Sequence, residues 1–134
     1  MKKLFCIIPI LLCILLASCG NDIDNITKGE NAMYEQITAE EAKKIMDSGE
    51  EHIILDVREQ DEYDAGHIPG AMLLPYTEIE SKAEKMLTDK DEQLFIYCRS
   101  GRRSKIAAEA LVELGYTNVK EFGGIIDWPY EVEK

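Results

Sequence analysis

Gln93-Leu94-Phe95-Ile96-Tyr97-Cys98-Arg99-Ser100-Gly101-Arg102-Arg103-Ser104 is the stretch on which the fold turns. Residues 93–97 form a short apolar and aromatic run of the kind that makes a strand buried on both faces. Beyond the loop, Ile106, Ala107, Ala110, Leu111 and Leu114 recur at the spacing of one helical face. A strand that enters a helix through a tight loop aims successive backbone N–H groups at one point, at the positive end of the helix dipole. Cys98 opens that loop, so its thiol is expected on the floor of an amide nest, with a pKa below the free value of about 8.5. Gly101 supplies the backbone freedom that such a turn needs. Arg99, Arg102, Arg103 and Lys105 crowd four cations onto the helix start, where positive charge opposes the dipole and lowers stability. Cations placed against that gradient point to an anion site.

On either side of this stretch, strand-like runs alternate with helix-like ones, the pattern of an α/β domain. Thr38-Ala39-Glu40-Glu41 has capping-box spacing ahead of an Ala42, Ile45, Met46 stripe that stops at Gly49. His52 to Val57 reads as a second buried strand, ending on the charged Asp56 and Arg58. Glu59 to Ala65 suits a short helix stopped by Gly66, and Ala71 to Leu74, before Pro75, a strand. Thr77-Glu78-Ile79-Glu80 repeats the capping-box pattern ahead of Ile79, Ala83, Met86 and Leu87 at helical spacing. Asn118 to Phe122 reads as the last strand, followed by Gly123-Gly124 and a closing turn with Ile125, Ile126 and Trp128, the last as core or pocket wall.

The chain has 134 residues, 46% hydrophobic and 31% charged, which is enough for one globular domain. With 15 Lys+Arg against 26 Asp+Glu the formal net charge is -11, which argues against a nucleic-acid partner and makes any anion site a local exception. Met1-Lys2-Lys3 followed by a hydrophobic run to Leu16 reads as an export signal over residues 1–18, since a spanning helix needs roughly 20 apolar residues. Leu16-Ala17-Ser18-Cys19 is similar to a bacterial lipobox, which implies cleavage before Cys19 and acyl chains on its thiol. Two chains suffice for stable anchoring, so the expected location is the cell membrane, or the outer membrane of a two-membrane cell. Residues 19–33 read as a polar tether and 34–134 as the folded domain. With Cys6 and Cys13 removed and Cys19 lipidated, Cys98 is left as a lone thiol, and no internal disulfide is expected.

Cys98-Arg99-Ser100-Gly101-Arg102-Arg103-Ser104 resembles the Cys-x-x-Gly-x-Arg-Ser active loop of single-domain rhodaneses. Leu55-Asp56-Val57-Arg58-Glu59, Glu62-Tyr63 and Gly66-His67-Ile68-Pro69-Gly70-Ala71 look like that family's upstream motifs, in the expected order. The resemblance covers about Tyr34 to Lys134 and implies a central parallel sheet with helices on both faces. It also implies sulfur transfer through a persulfide on Cys98, from a small anionic donor such as thiosulfate or a polysulfide to a thiol or cyanide acceptor, with no metal or cofactor. Residues Arg99 to Ser104 would hold the donor and persulfide, with Arg103 either touching substrate or bracing the loop against Asp56. Asp56, Arg58 and His67 are expected to be architectural. Two other readings stand beside this one: a phosphatase or arsenate reductase of related fold, and a sulfur-carrier or binding module without turnover. Loop length separates the first, because those oxyanion enzymes use Cys-x5-Arg whereas Cys98 and Arg103 are spaced Cys-x4-Arg.

Overall fold

Two apolar runs lie side by side at the centre of the molecule because neither has a polar edge to offer solvent. In the computed structural model, which describes residues 33–134, they are strands β2 (Ile53–Asp56) and β4 (Leu94–Cys98), paired in parallel. Around them the chain runs β1 (Glu35–Gln36), α1 (Ala39–Asp47), β2, α2 (Gln60–Ala65), β3 (Met72–Leu73), α3 (Ile79–Met86), β4, α4 (Arg102–Glu113) and β5 (Val119–Gly124). The five strands form one parallel sheet in the order β1-β5-β4-β2-β3. The expected export signal, Cys19 and the expected tether up to residue 32 lie outside the described residues.

Alternation along β4 divides the core in two. Leu94, Ile96 and Cys98 pack with Ala83 of α3 and with Ala107, Ala108 and Leu111 of α4. Phe95 and Tyr97 pack on the opposite face with Ala42 of α1, Phe122 and Trp128. Both faces of the sheet are therefore covered by helices, as a parallel sheet requires. Cys98 ends β4 at the sheet's carboxyl edge, where ligands bind in open α/β folds.

Most local expectations hold, and the departures have tertiary causes. Thr38 caps α1 with the reciprocal pattern: Glu41 N–H donates to Thr38 Oγ1 at 3.1 Å, and Thr38 N–H donates to Glu41 Oε2 at 2.8 Å. Thr77 does not cap α3. Pro75 accepts from Glu78 N–H at 2.8 Å and winds residues 76–78 into a 3-10 turn, so Thr77 lacks the extended backbone of an N-cap. In α4 the buried positions are Ser104, Ala107, Ala108 and Leu111, whereas Ile106 is 42% exposed. Ser104 faces inward toward the loop, and that contact rotates the apolar stripe by about one residue. Met86 is likewise at the surface, while Leu87 just beyond α3 is buried. The edge strand β1 has no apolar signature and exists only through its pairing with Lys120 and Glu121 of β5.

Asp56 is a fully buried hub that ties three segments together. It accepts from Arg58 Nε at 2.9 Å and Nη2 at 2.6 Å, and from Tyr97 Oη at 2.7 Å. Arg58 Nη2 also donates to the Gly66 carbonyl at 2.7 Å, and Tyr97 Oη accepts from Ile68 N–H at 3.0 Å. Burial works against the Arg58 charge, but Asp56 more than restores it, and Tyr97 is pushed well above the usual phenol range by burial and by that same carboxylate. Replacing Asp56 by Ala leaves a buried guanidinium unpaired, and a loss of about 3–5 kcal/mol is expected in urea unfolding. Unchanged stability would mean that Arg58 finds another anion.

Candidate active site

The site is assembled where β4 ends, and each part follows from local backbone chemistry. The thiol of Cys98 is 1% exposed and accepts from Gly101 N–H at 3.0 Å. Gly101 lies at φ +105°, a left-handed conformation that turns the loop back over the sulfur and starts α4. The Arg99 carbonyl accepts from Ile126 N–H at 3.2 Å. Burial pushes the Cys98 thiol up, but the Ser104 hydroxyl and the N–H groups of Ser104, Gly101 and Ser100 together outweigh it, and the thiol is held below its ordinary value. The amide nest expected at this loop is present around one sulfur.

The loop is held from below by β5. The pairing of β4 with β5 shifts register between Ile96 and Cys98, so that Ile96 faces Glu121 but Cys98 faces Gly124. At Gly124 the backbone of Arg99 and Ser100 occupies the space a side chain would take, with Ser100 Cα 2.5 Å from an added Cβ. Below Ser104 lies Glu121, 2% exposed, whose Oε1 accepts from Ser104 Oγ at 2.6 Å and from Gly123 N–H at 2.8 Å.

The expected site residues separate into three groups. Arg99, Ser100 and Arg102 are exposed around the mouth of the loop, and neither arginine forms an ion pair with any carboxylate among the described residues. Ser104 is buried, with its hydroxyl 3.4 Å from Cys98 Sγ. Arg103 braces the loop, but against Glu62 of α2 rather than Asp56, through Nη1 at 2.6 Å and Nη2 at 2.8 Å. Asp56 is already saturated by Arg58 and Tyr97. His67 stacks on Tyr63 at 3.7 Å between ring centroids, contacts the Tyr63 carbonyl through Nδ1 at 2.9 Å, and faces Glu133 through Nε2 at 3.4 Å. It holds the turn before β3 and the C-terminal tail. Trp128 is both core and wall: it closes one side of a groove of about 550 Å³ lined also by Ile54, Ile68 and Tyr130, with no residue from the Cys98 loop.

The Glu62–Arg103 pair gives the loop a pH-dependent anchor. Hydrogen bonding from Arg103 holds the Glu62 carboxyl down to about 2, against 4.5 ordinarily. A depressed carboxyl contributes stability that is complete above its unfolded pKa and is lost as pH falls through the folded one. Arg103→Met is therefore expected to cost about 1–3 kcal/mol at pH 7. It is also expected to flatten the wild-type loss of stability between about pH 4.5 and 2, measured by urea unfolding across that range.

With this geometry established, the chain can be placed among known proteins. A family model described as a rhodanese-like domain matches residues 38–129. The chain belongs to the rhodanese-like domain family. It is 37% identical over 99 residues to YrkF of Bacillus subtilis, named as a sulfur carrier protein; the match takes in 73% of this chain and 52% of YrkF, so the chain spans about half the length of that relative. It is 39% identical over 73 residues to the thiosulfate sulfurtransferase PspE of Escherichia coli, covering 54% of this chain and 70% of PspE. A solved rhodanese with anions from Escherichia coli is similar at a TM-score of 0.59 and 34% identity, covering 62% of this chain and 98% of that one.

Three residues that shape this rhodanese-like site have no role legible from their neighbours in the chain: Glu62 stands only as part of a motif, Gly124 as half of a Gly-Gly pair, and Glu121 as one charge in a strand. Glu121 does carry a signal: a carboxylate two residues after Val119, on the same face of a strand headed for the core, is out of place unless something beneath the sheet uses it.

Proposed function

We propose that the chain is a sulfurtransferase that carries sulfane sulfur on Cys98. The Cys98 thiolate attacks the outer sulfur of an anionic donor such as thiosulfate; the donor S–S bond breaks, sulfite leaves with the bonding electrons, and Cys98 becomes a persulfide. A thiolate or cyanide then attacks the outer sulfur, the new S–S or C–S bond forms, and the Cys98 thiolate is released. The observation that carries this reading is the loop's backbone N–H groups converging on the buried sulfur, led by Gly101 N–H at 3.0 Å. Support comes also from the exposed Arg99 and Arg102, cations free to draw an anion toward a protein of net charge -11. PspE and YrkF, a sulfurtransferase and a sulfur carrier by name, both lie within the same chemistry.

Oxyanion chemistry of the phosphatase kind is less well supported. It calls for an arginine clasping the anion in two places, and the Arg103 guanidinium already holds both oxygens of Glu62. The carrier reading differs from the enzyme reading only in the second half-reaction. We also propose, from Leu16-Ala17-Ser18-Cys19, that the mature protein is exported and tethered by acyl chains on Cys19. Intact-protein mass spectrometry of the mature, thiosulfate-treated molecule tests these proposals together. One added sulfur atom, removed by cyanide with formation of thiocyanate, is expected for the enzyme. Sulfur that loads but is not passed on identifies a carrier, and no loading overturns the reading.

A further inference from the structure

Two carboxylates are buried among the described residues, and they are treated differently. Asp56 is matched by Arg58, whereas Glu121 is in no ion pair and is held only by neutral donors. These are Ser104 Oγ at 2.6 Å and Gly123 N–H at 2.8 Å on Oε1, and Gln36 Nε2 at 3.4 Å on Oε2. The first contact has the length of a hydroxyl donating to a charged carboxylate. On its other side, the same Ser104 oxygen lies 3.4 Å from Cys98 Sγ. Ser104 has a single hydroxyl proton, and two groups that can be anionic compete for it.

We propose that Glu121 is a positioning residue: by drawing on the Ser104 proton it weakens the hydrogen bond that the hydroxyl gives Cys98, and so keeps the thiolate more basic than the amide nest and an uncommitted serine would together make it. With Glu121 ionised, the Ser104 proton is drawn to the carboxylate at 2.6 Å, and its support of the thiolate 3.4 Å away is weakened. Without that carboxylate, only the neutral carbonyls of Gly101 at 2.9 Å and Gly123 at 3.3 Å compete with the charged thiolate for the hydroxyl proton, and a like charge is also removed from beneath the sulfur. Both changes act in the same direction. The titratable groups reaching Glu121 are Cys98 at the end of β4 and Tyr34 ahead of β1, whose phenol is raised by burial and by Glu109 and Glu121. Gln36 of β1 and Ser104 of α4 are neutral, Lys120 of β5 is directed to Glu35 at 2.7 Å, and Arg103 of α4 to Glu62. Arg103 is near enough to feel charge on Cys98, but its guanidinium is committed to Glu62.

The consequence rests on the sulfur-transfer reading. A thiolate of lower pKa is a weaker nucleophile but a better leaving group, so Glu121 would tilt the balance between loading sulfur on Cys98 and releasing it. The site itself can be tested without any sulfur donor. In the full chain, the rate of Cys98 alkylation by iodoacetamide is measured against pH for wild type, Glu121→Gln, Ser104→Ala and the double variant. Glu121→Gln is expected to lower the midpoint by about one unit, and to do so by less than half as much in the Ser104→Ala background. An unchanged or raised midpoint overturns the proposal, and an equal shift in both backgrounds overturns the route through Ser104. Should Glu121→Gln fail to fold, the Glu121 carboxyl carbon followed by NMR in the wild-type protein decides. It is expected to inflect at the Cys98 midpoint and to lose that inflection once Cys98 is alkylated; a signal indifferent to the thiol overturns the proposal. With thiosulfate, the pH-independent loading rate of Glu121→Gln is expected to fall about threefold while release to cyanide rises. Failure of that step alone counts against the sulfur-transfer reading and leaves the alkylation result standing.

Discussion

A Cys98→Ser protein is expected to take up no sulfur from thiosulfate and to lose transfer to cyanide by at least on the order of 10³-fold. The reason lies in what surrounds the sulfur. The nest favours an anion, but the contacts to Sγ are the Gly101 N–H and the Ser104 hydroxyl, and neither is a base. A serine hydroxyl needs a neighbouring base to become a nucleophile, whereas a thiol in this setting ionises by itself. His67 supplies no such base, because its ring is engaged with Tyr63 and Glu133. The substitution is nearly isosteric and keeps the Gly101 contact, so the change in unfolding free energy is expected to be about 1 kcal/mol or less. Sulfur loading by mass spectrometry and thiocyanate formation, read beside a urea melt, separate lost chemistry from lost structure. Persistent loading of the Cys98→Ser variant would place the acceptor sulfur elsewhere.

Gly124→Ala is expected to have the opposite signature, losing structure and activity together. No rotamer change relieves the added methyl, because it meets the main chain of Arg99 and Ser100 rather than the end of a side chain. Either β5 moves away, opening the pairing of Cys98 with Gly124, or the active loop lifts off the sheet. The first route disturbs the core packed around Phe122, and the second takes the Gly101 N–H away from the sulfur. A loss of at least about 2–3 kcal/mol in urea unfolding is expected for a backbone overlap of this kind. Sulfur transfer is expected to fall on the order of 10²-fold, the scale associated with displacements of about 1 Å at a reacting centre. The thiol would also become harder to ionise, so its alkylation midpoint should move upward. Wild-type stability and transfer in the variant would mean that the loop has slack the geometry does not show.

These two residues illustrate how unevenly the site could be read in advance. Cys98 was legible because its surroundings are consecutive in the chain: a buried strand before it, a glycine three residues on, and a helix beyond. Its peptide groups had few other places to point. Gly124 lies 26 positions from Cys98 and marks its importance only by the close approach of another segment. The helical phase of α4 shows the same limit. Periodicity placed Ile106 in the stripe, yet Ser104 occupies the inward position because Cys98 and Glu121 both lie beneath it. The Thr77 pattern failed because a preceding proline imposed its own turn.

What the sequence determined alone was the set of features written in near neighbours: the two strands buried on both faces, the Thr38 cap, a glycine turn at 101, and a thiol ahead of a helix start crowded with cations. Each follows from hydrogen bonds and periodicities that span a few residues, so local order suffices. Only the tertiary structure decided which carboxylate holds Arg103, that β5 bulges to admit the loop, and that Glu121 shares a proton donor with the sulfur. Glu62 and Arg103 are 41 positions apart, and Ser104 and Glu121 are 17 apart. Contacts at such separations depend on how packed elements align, and a charged residue reads alike along the chain whether it faces water or its one buried partner.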